Sequence, residues 1–279
     1  MKYNDVRDAA QKKVLLAAHR GIAGGNIPCN TLAAYEISLR QGADIVELDV
    51  SRSSDGALFT FHPGMEPAHL RSDRYLCDMT AKEIETLRFV NQDGTPTVHP
   101  VNYLEDTLNF LKGRCYVNID KFWTCMPEIT ALVRKLGMED QVIVKTDAQE
   151  KWFAMVEEIA PDLPYMPIVS EEDTCMENLL RRKIRYIGAE VLFKTHESAT
   201  AQKSYWDTMH DNGLIVWVNS IVYNYKAVLA AGHSDDLSLT GNPDDGWGWL
   251  ADNGCDIIQT DWVQMTRQYL EATGKRNHK

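Results

Sequence analysis

Two histidines, an arginine and two carboxylates fall within one short segment of this chain, each at or near the end of an apolar run. Val14-Leu15-Leu16-Ala17-Ala18 reads as a strand buried on both faces, and it leads directly into His19 and Arg20. Asp44-Ile45-Val46-Glu47-Leu48-Asp49-Val50 reads as a second strand. Side chains alternate along a strand, so Glu47 and Asp49 share one face and Leu48 takes the other. Two acids side by side at the end of a buried strand repel unless a cation or a shared proton intervenes. The pair therefore points to a metal. With His19 and Arg20 on a neighbouring strand, it describes a site for an anionic substrate held on a cation. Singly, a His-Arg at a strand end reads as a loop ion pair and a Glu-x-Asp as a helix cap. Their combination in a fixed order, with a second histidine, is what suggests chemistry.

The elements that must hold these groups follow a regular beat. Apolar strand candidates begin near Val14, Asp44, Cys115, Gln141, Tyr165, Ile184, Leu214 and Asp256. Helical stretches lie between most of them: Thr31–Arg40, Tyr103–Leu111, Met126–Lys135, Glu150–Ile159 and Cys175–Arg182, with Trp247–Asn253 and Val263–Glu271 near the end. Eight such units in a chain of 279 residues predict a TIM (β/α)8 barrel. A doubly wound sheet would want a nucleotide fingerprint after the first strand, and Gly21-Ile22-Ala23-Gly24-Gly25 does not fit one. No linker-like stretch or repeat divides the chain, so one domain over 1–279 is expected. One segment breaks the rhythm. Ser54-Asp55-Gly56 is a tight-turn signal, and Ala57-Leu58-Phe59-Thr60-Phe61-His62 returns from it, bringing His62 opposite His19. A polar, irregular stretch follows to Asn102, with a short helix expected at Ala81–Leu87. The insertion as a whole spans about 54–102, a length usual for substrate walls and lids.

The segment from His19 to His62 resembles the glycerophosphodiester phosphodiesterase family. That family's pattern runs His-Arg-Gly, Pro-Glu-Asn-Thr, Gly-Ala-Asp-x-x-Glu-x-Asp, Asp-Gly and His-Asp. This chain has His19-Arg20-Gly21, Pro28-Cys29-Asn30-Thr31, Gly42-Ala43-Asp44-Ile45-Val46-Glu47-Leu48-Asp49, Asp55-Gly56 and His62-Pro63. Cys29 and Pro63 depart from it. Weaker similarity continues through Trp217-Val218-Asn219 and Thr260-Asp261. The resemblance implies hydrolysis of a small-molecule glycerophosphodiester to glycerol 3-phosphate and an alcohol. His19 and His62 would be the general acid and base. Glu47, Asp49 and Asp120 would hold one divalent cation, Mg²⁺ or Ca²⁺, through oxygen ligands. Arg20 and a lysine would share the phosphate's charge, and Trp217 would wall the pocket. By resemblance, the substrate's own glycerol hydroxyl would attack first, giving a cyclic phosphate that water then opens.

The lysine departs from the family's pattern. The family commonly carries Glu-x-Lys on its third strand, but Tyr116-Val117-Asn118-Ile119-Asp120-Lys121 puts Phe122 where the lysine belongs. Lys121 is out of phase with Asp120 if the strand stays regular, which favours Lys145, closing Val142-Ile143-Val144, over Lys121. Asp261 reads as an outer partner or a helix cap. His69, His99, His196, His210, His233 and His278 lie in polar contexts and read as surface residues, while Trp247 and Trp249 are expected to pack a helix on the barrel.

Composition narrows the class without choosing the reaction. A net charge of −11 argues against nucleic acid or an anionic membrane as partner. No apolar run approaches the ~20 residues of a membrane span. The start at Met1-Lys2-Tyr3-Asn4 lacks a signal-peptide pattern, so a cytoplasmic location is the expectation. Cysteines 29, 77, 115, 125, 175 and 255 are scattered without a Cys-x-x-Cys, which argues against a structural zinc, and a chain this large favours buried free thiols over disulfides. Three rival readings stay open. A sphingomyelinase D-like lyase on lysophospholipids would use the same residues and an apolar channel. A glycoside hydrolase would use Glu47 and Asp120 but leave both histidines and Arg20 idle. A phosphodiester-binding barrel would need no catalysis.

Overall fold

Eight parallel strands close into a barrel in the computed structural model, which describes residues 5–222 and 226–277. In chain order they are β1 (Leu15–Ala18), β2 (Ile45–Arg52), β3 (Tyr116–Asp120) and β4 (Val142–Asp147), then β5 (Tyr165–Ser170), β6 (Gly188–Leu192), β7 (Ile215–Asn219) and β8 (Ile257–Thr260). Closure comes from β1, which pairs with β2 at Ala17–Ile45 and with β8 at Leu15–Ile257. Strands in such a ring are covered on both faces, which is why β1, β7 and β8 are buried along their whole length. Each strand predicted from an apolar run is present. The sixth begins at Gly188, later than the Ile184 expected, because Tyr186 makes only an isolated bridge to Tyr165. Glycine is required there: a Cβ on residue 188 would strike the Ile215 carbonyl of the adjoining strand.

Alternation sorts the barrel interior into layers. Leu15, Ala17, Ile45, Tyr116, Ile143, Met166, Ile215 and Ile257 fill the lower layers, with Trp217 above them. The next inward positions are polar and buried: Glu47, Asn118, Lys145, Glu190, Asn219 and Gln259. His19, Asp49 and Asp120 follow at the C-terminal mouth, the end where barrels of this kind assemble their sites. The opposite strand faces pack on the helices around a second, larger apolar cluster.

The helix Leu32–Gln41 shows how local sequence sets these boundaries. Thr31 accepts the Ala34 N–H at its start, and Gly42, in the left-handed region at φ 94°, ends it. Helices Leu104–Leu111, Met126–Leu136, Glu150–Ile159 and Val263–Ala272 lie within a residue of expectation. Cys175–Arg182 shrinks to Met176–Leu179 and Trp247–Asn253 to Trp249–Asn253, preceded by a wide turn of π-type helix at Asp244–Gly248. Helices Lys203–Asp211 and Asp235–Thr240 carry too few buried apolar positions to signal themselves.

The insertion is more ordered than its polar sequence suggests. Leu58–Thr60 runs antiparallel to the end of β2, pairing Thr60 with Val50. Helix Glu66–Leu70, helix Ala81–Ile84 with its Thr80–Glu83 capping box, and a hairpin of Arg88–Val90 and Pro96–Pro100 follow. Phe59, Phe61, Leu70, Leu76, Met79, Ile84, Phe89 and Val101 give this segment an apolar cluster of its own.

Candidate active site

The three carboxylates converge. β2 and β3 pair in parallel with Glu47 opposite Asn118 and Asp49 opposite Asp120, so the inward positions of two adjacent strands deliver all three acids. One oxygen of each of Glu47, Asp49 and Asp120 lies within 4.8 Å of the others. Glu47 and Asp49 are buried. Burial, followed by the charge of Asp49, pushes the Glu47 carboxyl up to about 8. Such a cluster is short of positive charge, and an oxygen-seeking divalent cation fits it.

The nearby cations bind the acids without neutralising all of them. Arg20 has a positive φ of 54°, which turns its backbone N–H onto Glu47 Oε2 at 2.7 Å. Its guanidinium lies 3.0 Å from Asp49 Oδ2. Asn30, also at positive φ, donates to the same Asp49 oxygen at 2.9 Å and accepts from the Tyr35 hydroxyl at 3.0 Å. Asn30 belongs to the Pro-x-Asn-Thr motif, but its part in fixing Asp49 is visible only in three dimensions.

Both histidines have one ring nitrogen committed. His19 Nδ1 donates to Asp261 at 2.9 Å. Burial opposes its protonation, but the Asp261 hydrogen bond and the charges of Glu47 and Asp261 prevail and raise its pKa. His62 Nδ1 lies 2.9 Å from the Pro63 carbonyl, which can only accept, so the neutral ring carries its proton there. Nε2 is left as the basic atom, 3.9 Å from Asp49. Burial lowers the pKa of this ring. Asp261 is itself fixed: its backbone N–H donates to Asp235, a buried carboxylate that also accepts from Ser220, Trp247 and Thr260.

The two lysines sit differently from what strand phasing predicts. Lys121 takes a left-handed φ of 59°, so strand alternation stops at Asp120 and the side chain turns back into the mouth. Its ammonium is 2.8 Å from Asp120 Oδ2, and it lines the central bowl with Trp123. Lys145 is instead sealed below. It is 1% exposed, pairs with Glu190 at 2.6 Å and lies 3.1 Å from the centre of the Trp217 ring. Trp217 is fully buried and donates to Asn219 at 3.1 Å, so it supports the floor and is no wall of the bowl. Lys145 shares the inward layer of Glu47, and neither it nor Trp217 is among the residues that line the bowl.

Other expectations are narrowed or shifted. Asp261 is an outer partner of His19. His233 is buried and stacked on Trp249, and His69 lies 3.9 Å from Cys29 Sγ, so neither is a simple surface residue; His278 falls outside the described residues. All six cysteines are free, but Cys77 is exposed and Cys29 only partly buried. The bowl above the carboxylates measures about 380 Å³, and Leu192, Ile221 and Leu229 complete its wall. No helix among the described residues is long and apolar enough to cross a membrane.

Comparison with known proteins places this geometry. A family described as a domain of unknown function, DUF4996, matches residues 165–270. A glycerophosphodiester phosphodiesterase of Bacillus altitudinis is 51% identical over 141 residues, which is 46% of this chain and 56% of that protein. The chain spans 66% or less of the length of the curated relatives it matches. Among solved structures, a glycerophosphoryl diester phosphodiesterase from Parabacteroides distasonis superposes with a TM-score of 0.77 at 17% identity, covering 98% of this chain and 94% of that one. A phosphodiesterase from Oleispira antarctica, solved with its product sn-glycerol-3-phosphate, gives 0.67 at 16% identity, covering 93% and 97%. These low-identity matches establish the shared barrel, and the curated relatives establish similarity of sequence. By motif, by relatives and by fold, this chain is similar to the glycerophosphodiester phosphodiesterases.

Proposed function

We propose that this chain is a metal-dependent phosphoric diester hydrolase that cleaves a glycerophosphodiester to glycerol 3-phosphate and an alcohol. One observation supports this reading above others: three converging carboxylates at the barrel mouth, ringed by two imidazoles, a guanidinium and an ammonium. Glu47, Asp49 and Asp120 would hold one cation, and an all-oxygen set suits Mg²⁺ or Ca²⁺. When bound, the cation polarises the phosphoryl group and offsets negative charge as it develops.

The protein's own residues do the rest. Arg20 and Lys121 balance the charge on the remaining phosphoryl oxygens; Lys121 takes the role that sequence phasing favoured for Lys145. His62, with its proton committed to Pro63, accepts a proton from the attacking hydroxyl at Nε2. His19, kept protonated by Asp261, gives a proton to the departing alkoxide. The attacking hydroxyl is the substrate's neighbouring glycerol hydroxyl, and water then opens the cyclic phosphate with the proton transfers reversed.

The test is release of glycerol 3-phosphate from glycerophosphoethanolamine or glycerophosphocholine with added Mg²⁺ or Ca²⁺. EDTA should abolish turnover and the ion restore it. Full turnover by protein shown to be metal-free, or none on any glycerophosphodiester with either ion, overturns the reading.

A further inference from the structure

His19 and Arg20 line two cavities, and only one of them is the bowl over the carboxylates. The second, about 570 Å³, lies on the far side of these two residues. It reaches from Cys29 and His69 at the mouth toward Gln41, the last residue of helix Leu32–Gln41, with Gln264 and Met265 of helix Val263–Ala272 on its other side. Its walls include Ile22, Ala23, Trp262 and Met265. Trp262 and Met265 are 50% and 46% exposed, an unusual position for a tryptophan beside a methionine. Ile22 is held in place by its backbone N–H, which donates to the Ala34 carbonyl and the Ser38 hydroxyl.

A phosphodiester has two arms, and this site has two compartments meeting at the proposed acid. The bowl has Glu190, Asn219 and Gln259 in its floor below Leu192, Ile221 and Leu229, and those polar groups suit a glycerol arm with hydroxyl groups. The outer groove has no charged wall apart from His19, Arg20 and Asp261, and Asp261 is engaged by His19. Arg20 and His19 stand beside Asp261 in this wall, so a quaternary ammonium meets no net negative charge along it. We infer that the outer groove receives the leaving alcohol, and that it selects an uncharged, extended, apolar alcohol over a small or cationic one. This rests on the diesterase reading above. It places the departing oxygen beside His19, as proton donation requires, and gives Trp262 the part of a specificity residue.

The experiment measures kcat/KM for three glycerol 3-phosphate diesters, those of methanol, hexanol and choline, with the metal-loaded wild-type protein and with Trp262→Ala and Met265→Ala. The hexyl diester should exceed both others by about tenfold or more, since burying its methylenes against Trp262 and Met265 removes apolar surface from water. Either substitution should lower the hexyl-to-methyl ratio several-fold, mainly through KM. A choline diester turned over as well as the hexyl diester, or a ratio that neither substitution moves, overturns the inference while leaving the diesterase reading intact. No turnover of any of the three defeats the diesterase reading instead. Circular dichroism on the variants separates a lost subsite from a lost fold.

Discussion

Lys121 and Lys145 differ in what they hold, and the proposed function uses only the first. Lys121 stands at the mouth against Asp120, half-exposed, with its pKa raised by that acid in spite of burial. Lys121→Met should lower kcat by ~10² or more with little change in thermal midpoint, as removal of a single charge-stabilising donor does elsewhere. Lys145→Met should do the reverse. It leaves Glu190 buried without its cation, a loss of about 3–5 kcal/mol for a broken buried pair. A melting curve beside an activity assay reads both. Equal catalytic loss in two stable variants would return the phosphate role to Lys145. Asp261 carries a second prediction at this scale. Its hydrogen bond and charge raise the His19 pKa, so Asp261→Asn should move the alkaline limb of the kcat/KM profile to lower pH. An unmoved limb would mean that His19 is not the acid.

Elements account for what the sequence made legible and what it hid. Strands covered on both faces are continuous apolar runs, so all eight were readable; alternation paired Glu47 with Asp49 on β2, and the family resemblance added Asp120 on β3. Phasing failed where alternation itself stopped, at the left-handed Lys121, and nothing in Ile119-Asp120-Lys121 marks that change of backbone. Depth along a strand was equally hidden. Trp217 and Lys145 face inward as their phase requires, but both are buried and neither lines the bowl. Helix Lys203–Asp211 was missed because it buries only Trp206 and Met209. Its attachment is partly electrostatic and therefore pH-dependent. His210 on this helix meets Asp256, which also accepts the Val216 N–H, and the Asp256 hydrogen bond outweighs burial to raise the His210 pKa. A raised folded pKa gives stability that is full below the unfolded value of about 6.5 and lost as pH rises through the folded value. His210→Gln should therefore lower the thermal midpoint more at about pH 5 than at about pH 9. Equal losses at the two would mean that the ring acts only through packing.

At the scale of the whole molecule, the barrel holds three acids together against their repulsion, and the sign of that cost can be measured. Glu47 is raised from 4.5 to about 8, so the folded state prefers it protonated. The stability tied to this preference is complete below about pH 4.5 and drains away until the group is ionised in both states, above about pH 8. Glu47→Gln removes the titration while keeping an oxygen to accept the Arg20 N–H. Without metal, the variant should match or exceed the wild type in thermal midpoint near neutral pH, with the gap widening as pH rises through that window. With Mg²⁺ or Ca²⁺ the order should reverse, because a ligand that binds only the folded protein stabilises it in proportion to the logarithm of its concentration. The wild type would gain this rise and the variant would lose most of it. A wild type whose midpoint does not move with either ion, or a metal-free variant that melts well below it, would show that the cluster is not a strained cation site. The trade is physical: a closed ring of parallel strands is rigid enough to store repulsion at its mouth, and a cation would relieve it where the phosphoryl charge must be met.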